Sequence, residues 1–248
     1  MEIGNTITPV IAIEIEFYLH NAEQKFTSDD IISIIRSECS KAGVELYSVE
    51  KESGNNQYEI ATFPGEREKI IADSEHCKHV IKTTFAAHAI TVDFSAKPLA
   101  DQPGSGLHIH IHLQDEVGRN IFTRDQDGNF SPALLHAIAG LLATMQQNMT
   151  IFAPTPESLL RFVANSNAPT TLSWGINNRT AAIRLPNKPN NNKHIEHRVA
   201  GSDADITKVT DCIIKAVFYG ISEQLSPGEP VYGDAALPQY KLPLLTDF

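Results

Sequence analysis

At 248 residues and 42% hydrophobic content, the chain can bury an ample core as one large or two small domains. Its 20 basic and 30 acidic residues give a formal net charge of -10, which argues against a nucleic-acid surface built on general electrostatics. No long apolar run or leader pattern argues for a membrane role, and Cys39, Cys77 and Cys212 lack the spacing of a zinc site or disulfide framework, so a soluble protein of the reducing cytoplasm fits.

The segment from about Thr8 to His20 alternates as a strand, with Ile11, Ile13, Ile15 and Phe17 on one face and Ala12, Glu14, Glu16 and Tyr18 on the other. Ser28 then reads as the cap of a helix through Ile31, Ile34, Ile35 and Cys39 that stops at Gly43. Two short strands, Val44 to Val49 and Gln57 to Phe63, flank the polar loop KESGNN. A helix over roughly Glu66 to Ala89 leads to strand TVDFSA and the loop KPLADQPGSG.

The next strand carries His108, His110 and His112 on one face. After the turn RDQDGN, a helix is expected from Pro132 to about Ile151, with proline in its first turn. Strands around Thr171 to Trp174, Thr180 to Leu185 and His194 to Val199 precede a last helix over about Asp203 to Gln224, with acids in its first turn. The tail from Ser226 carries four prolines and is expected to be extended and docked. Strands and helices intersperse without βαβ regularity, which predicts an α+β fold, a mostly antiparallel sheet flanked by helices, as a single domain over residues 1–248.

Glu14, Glu16, His108, His110, His112 and Glu196 sit on segments of alternating polarity, so each strand presents its acids or imidazoles together. Packed carboxylates either bind a cation or give up ionisation, which points to divalent metal. Each signal also has a plain reading: a solvated strand face for the glutamates and histidines, surface charges for Glu52 and Glu59, and surface ion pairs for Arg161, Arg179, Arg184 and Arg198. The glycine loop before the histidines sharpens the functional reading, since glycine lets backbone approach a ligand.

The segments IEIEFYL, ESGNNQYEI, AKP with GSGLHIHIHL, APTTLSWGINNRTAAIRLP, HIEHRVAGSDAD and SPGEPVYGD, taken in order, resemble the catalytic domain of glutamine synthetase and related glutamate-amine ligases. The resemblance runs from about residue 10 to about 235. It implies a curved, mostly antiparallel sheet and an ATP-dependent ligase that activates the side-chain carboxylate of glutamate, or of a similar acid, as an acyl phosphate for attack by an amine. It matches Glu16, Glu52 and Glu59 to one divalent ion and Glu14, His108 and Glu196 to a second, with two or three Mg²⁺ or Mn²⁺ ions per site. His110 matches a position near the ATP phosphates and Gly104 one in the glutamate-binding turn. Arg161 matches the grip on the substrate carboxylate, while Arg179, Arg184 and Arg198 match arginines on substrate and transferring phosphate.

Three departures accompany the match. The chain enters the catalytic motifs almost at once, implying that the preceding β-grasp domain is absent and that a separate β-grasp partner completes the pocket or the amine site differs. Asn167 stands where a flap glutamate is expected, and an amide cannot serve as a general base. His194 replaces an arginine beside the nucleotide. These features pose a ligase using an amine other than ammonia against a non-catalytic nucleotide- and metal-binding relative with a sensing or regulatory role. A homo-oligomer without nucleic-acid or membrane partners is expected in either case.

Overall fold

The alternation of the first strand becomes the two sides of a sheet. In a computed structural model, which describes residues 7–22, 25–163, 166 and 168–247, strand β1 spans Thr8–His20. It is followed by β2 (Leu46–Lys51), β3 (Gln57–Thr62), β4 (Thr91–Asp93), β5 (Leu107–Gln114), β6 (Trp174–Ile176), β7 (Ile183–Leu185) and β8 (Ile195–His197). The helices are α1 (Ser28–Lys41), α2 (Arg67–Ala86), α3 (Pro132–Thr144), α4 (Met149–Phe152), α5 (Pro156–Leu159) and α6 (Ile206–Ser222). The strands form one sheet in the order β2-β3-β1-β5-β8-β7-β6, with β4 paired to β1. Only the β6–β7 pairing among these strands is parallel. The α+β architecture with a mostly antiparallel sheet is therefore as expected.

Ile11, Ile13 and Ile15 of β1 and Leu107, Ile109 and Ile111 of β5 are at most 1% exposed and join one core with α1, α2, α3 and α6. Each such side chain contributes about 1.5–3 kcal/mol by leaving water. Behind the sheet, α3 and α6 cross backbone to backbone: a Cβ on Gly140 would run into the Ala216 carbonyl, and one on Gly220 into that of His136.

Several boundaries differ from expectation. Thr27, not Ser28, caps α1: its hydroxyl accepts from the Asp30 N–H (3.2 Å) while the Asp30 carboxylate accepts from the Thr27 N–H (2.9 Å). The helix expected to reach Ile151 breaks after Thr144 into a 3-10 turn (Gln146–Asn148) and α4, where Asn148 Nδ2 donates to the Thr144 carbonyl at 2.9 Å. The helix α5 was not anticipated. Asp205 is the cap of α6 and accepts from the Lys208 N–H at 3.0 Å, so the expected acids lie before its first turn. TVDFSA is a strand only over Thr91–Asp93, and the three strands after residue 170 are short.

The tail contains a 3-10 turn (Pro238–Tyr240) and packs back on the sheet: Val231 N–H donates to Trp174 O (2.8 Å), Leu245 N–H to Thr170 O (2.9 Å), and Leu245 is buried. Asn167 lies outside the described residues. Among the described residues, no helix is long and apolar enough to cross a membrane.

Candidate active site

The even-numbered positions of β1 and β5 face away from the helices, and strand register decides which polar groups meet. Glu16 stands opposite Glu59 of β3, and Glu14 lies between Ala61 of β3 and His108 of β5. One step along, Ala12, His110, Glu196 and Arg184 form a row across β1, β5, β8 and β7. These side chains, with Glu52, Arg179, Arg198 and His194, line a cavity of about 470 Å³.

Around it, ligand atoms of Glu16, Glu52 and Glu59 lie within 4.8 Å of one another, as do those of Glu14, Glu59 and His108, and of Glu14, His110 and Glu196. The first set is the one matched by resemblance to one ion. The members matched to the second are divided between two groups that share Glu14.

Local structure fixes these positions. Glu16 Oε2 accepts the Gly106 N–H at 2.7 Å, and the Ser202 hydroxyl ties the Glu16 and Gly106 carbonyls together at 2.6 and 2.7 Å. Glycine is required in this loop: a Cβ on Gly104 would lie 2.7 Å from the Ala96 carbonyl and 2.7 Å from Arg161 Cγ. Arg161 is buried behind the loop, does not border the cavity, and donates to the carbonyls of Val199 (2.9 Å) and Arg198 (3.2 Å).

Glu196 is held on both oxygens, by Arg184 Nη1 at 2.7 Å and by Arg198 Nη1. Arg184 also donates to Asn177 Oδ1 at 2.7 Å, whereas Arg179 is exposed at the cavity wall.

The electrostatics show what the acid cluster lacks. Burial, reinforced by Glu14, Glu16, Glu52 and Glu196, pushes the Glu59 carboxyl up to about 10, and burial beside Glu16 also raises Glu52. Burial works against ionised Glu14 as well, but His110 and His108 outweigh it and hold this group well below the usual carboxylate range. Burial likewise opposes charge on Glu196, yet Arg198 and then the two histidines bring it down to about 2. His194 is pushed down to about 4 by burial and by His110, so it stands uncharged at neutral pH.

The donor set suits a hard divalent ion: carboxylate oxygens, joined by one imidazole in two of the three groups, and a buried His108 Nε2 that makes no hydrogen bond. Buried among four other carboxylates, Glu59 lacks the positive charge that a cation would supply.

Residues 18–241 match the family described as glutamine synthetase, catalytic domain. The chain belongs to that family. It is 29% identical over 95% of its length to gamma-glutamylputrescine synthetase PuuA of Escherichia coli (strain K12), of which the match spans 56%. Over 84% of its length it is 31% identical to a glutamate–isopropylamine ligase of a Pseudomonas species, spanning 46% of that protein. A glutamine synthetase of Pyrococcus abyssi (strain GE5 / Orsay) is 34% identical over 71% of the chain, with 39% of the relative matched. The chain thus spans about half the length of the curated relatives it matches. Its fold is that of GmaS in complex with ADP, with a TM-score of 0.84 at 23% identity over 96% of this chain and 60% of that one.

Glu50, Lys188 and Gln57 escaped sequence reasoning. Glu50 and Lys188 line the cavity, and Gln57 Nε2 bridges Glu16 Oε2 (3.4 Å) and the Gly104 carbonyl (3.1 Å). The alternation Ser48, Glu50, Glu52 could have flagged Glu50; no local pattern marks Gln57 or Lys188.

Proposed function

We propose that this glutamine synthetase-family chain is a catalytic domain of an ATP-dependent ligase that joins the side-chain carboxylate of glutamate, or a similar acid, to an amine through an acyl phosphate. The observation that carries the reading is one sheet face holding Glu14, Glu16, Glu52, Glu59, Glu196, His108 and His110, with Arg179, Arg184 and Arg198 on the same cavity wall. Two anions, the triphosphate and the carboxylate, can meet only where positive charge is supplied.

Glu16, Glu52 and Glu59 would hold one Mg²⁺ or Mn²⁺, and Glu14 with His108, His110 and Glu196 a second or third. Such ions supply charge neutralisation and a template for phosphoryl transfer. Arg179 reaches the phosphates from the rim. Arg184 and Arg198 form planar donor forks at the far wall, where Glu196 holds them in register. Gly104 lets the glutamate-binding turn close on Ala96 and on Arg161, which braces the loop from behind.

Amines other than ammonia are the preferred nucleophiles. Relatives named for putrescine and isopropylamine support this, as does Asn167 in place of the flap glutamate. The reading includes a single catalytic domain, assembly as a homo-oligomer, a cytoplasmic setting, and a β-grasp wall supplied in cis or by a second polypeptide.

The test is phosphate release from MgATP by the purified chain with glutamate and a panel of ammonia, methylamine, hydroxylamine, isopropylamine, ethanolamine and polyamines. Turnover with at least one organic amine above the ammonia rate is expected. No turnover with any amine, together with thermal stabilisation by MgATP, would instead establish a non-catalytic nucleotide-binding protein. That second reading is favoured by the engagement of both Glu196 oxygens with arginine rather than with the cavity.

A further inference from the structure

Past the acid cluster, the same cavity ends in imidazoles. Strands β5 and β8 pair with His110 opposite Glu196 and Ile111 opposite Ile195. Just past that pairing, His112 is the next residue of β5 and His194 immediately precedes β8. His110 and His112, two apart on β5, share one strand face, and both border the cavity together with His194. The rings of His110 and His194 meet edge to face, with centroids 5.0 Å apart and planes at 63°.

A His-x-His pair on one strand, with a third histidine at the start of the neighbouring strand, can place three imidazole nitrogens around one ion and leave a fourth position open. One hydrogen bond outside the triad suits that use. His194 Nδ1–H donates to the Asn192 carbonyl at 2.8 Å, the kind of contact that orients a metal-ligating ring and leaves its Nε2 lone pair free. The Gln114 amide nitrogen donates to His112 Nε2 at 3.2 Å, and His110 Nε2 lies 3.0 Å from Glu14 Oε1, a carboxylate partner that leaves the Nδ1 of that ring for an ion.

We propose that His110, His112 and His194 form a three-imidazole site for a zinc-class divalent ion (Zn²⁺, Co²⁺, Ni²⁺ or Cu²⁺), distinct from the oxygen-rich site of the glutamate cluster. Imidazole selects these ions, whereas carboxylates select Mg²⁺ and Mn²⁺. Among the described residues, ligand atoms already within 4.8 Å of one another belong to the glutamate-containing groups, so closure of the imidazole site requires His112 to turn away from Gln114. The open coordination position then faces the cavity, where a nitrogen or oxygen donor of a bound ligand can fill it. The two sites meet at His110, which also lies 3.0 Å from Glu14 Oε1. Variants at His112 and His194 therefore report on the imidazole site alone, and Glu52→Gln on the glutamate cluster alone.

The experiment is titration of the chelator-stripped full chain with Co²⁺, followed through its visible absorption, with Zn²⁺ and Mg²⁺ as competitors. The expected result is the intense spectrum of four-coordinate Co²⁺, bleached by Zn²⁺, insensitive to Mg²⁺ and retained in Glu52→Gln. In His112→Ala and in His194→Ala, affinity falls at least ~10-fold. His194→Cys keeps a soft ligand, so it restores binding and adds a thiolate charge-transfer band, which separates ligand loss from misfolding. Absence of a four-coordinate spectrum in the unaltered chain overturns the proposal, as does a spectrum unchanged in both alanine variants or one lost in Glu52→Gln.

Discussion

On its helix side, strand β1 presents Ile11, Ile13, Ile15 and Phe17, each at most 1% exposed, while on its cavity side it presents Ala12, Glu14 and Glu16. The same backbone hydrogen bonds serve both faces, so the contrast isolates the side chains. The helix side gains by removing hydrocarbon from water. On the cavity side, carboxylates are held at the spacing of neighbouring strands, about 4.8 Å, where like charges must share a proton or a cation. The apolar face thereby stabilises a geometry that the polar face would not adopt by itself.

The sharpest challenge to this division is Glu196, a polar-face residue that should behave like core. Glu196→Ala removes the carboxylate that both Arg184 and the buried Arg198 contact, and is expected to lower unfolding free energy by about 3–5 kcal/mol in urea denaturation; a loss below that of a surface substitution would show that the arginines re-pair at little cost. Ile13→Ala tests the opposite face and should cost about 2–5 kcal/mol in the same assay, as expected for a cavity opened in a closed core.

Next in size is a pH effect. Because the folded Glu59 carboxyl sits near 10 rather than the ordinary 4.5, the folded chain binds the extra proton across that interval. Its contribution is fully present below 4.5 and is lost as pH rises through 10, so metal-free chain should weaken from about pH 6 to about pH 9. Glu59→Gln should flatten that slope while weakening Mn²⁺-dependent nucleotide binding. An identical slope in the variant, measured by chemical unfolding at each pH, would remove Glu59 from the explanation. The smallest expected stability change is at exposed Arg179: Arg179→Ala should alter unfolding free energy by no more than about 0.5 kcal/mol while sharply reducing amine-dependent phosphate release.

Legibility followed the range of the interaction. The alternation in β1 and β5 needed only neighbouring residues, and Thr8–His20 was recovered to the residue. Caps were blurred where two candidates adjoin, as with Thr27 and Ser28, because the choice rests on whether the Asp30 side chain returns to the backbone N–H. The break after Thr144 carries no proline or glycine, and the side-chain bond from Asn148 that accompanies it is invisible to periodicity. Thr155 followed by Pro156 is a readable helix start, and α5 begins there.

For the cavity, each strand's acids could be seen locally. Their order along the chain was recognisable only by resemblance, since Glu16, Glu59 and Glu196 come together through pairings of distant segments. Gln57, which braces Glu16 and Gly104 at once, has no sequence signature because both its partners are remote.

The glycine crossing of α3 and α6 constrains how this molecule can breathe. With bare backbone against backbone at Gly140 and Gly220, no rotamer is available there to absorb a sliding or widening of the two helices. The α3–α6 pair therefore acts as a stiff keel beneath the sheet. A methyl group at either glycine would wedge the keel apart and reach the cavity only indirectly, by tilting the strands that lie upon it.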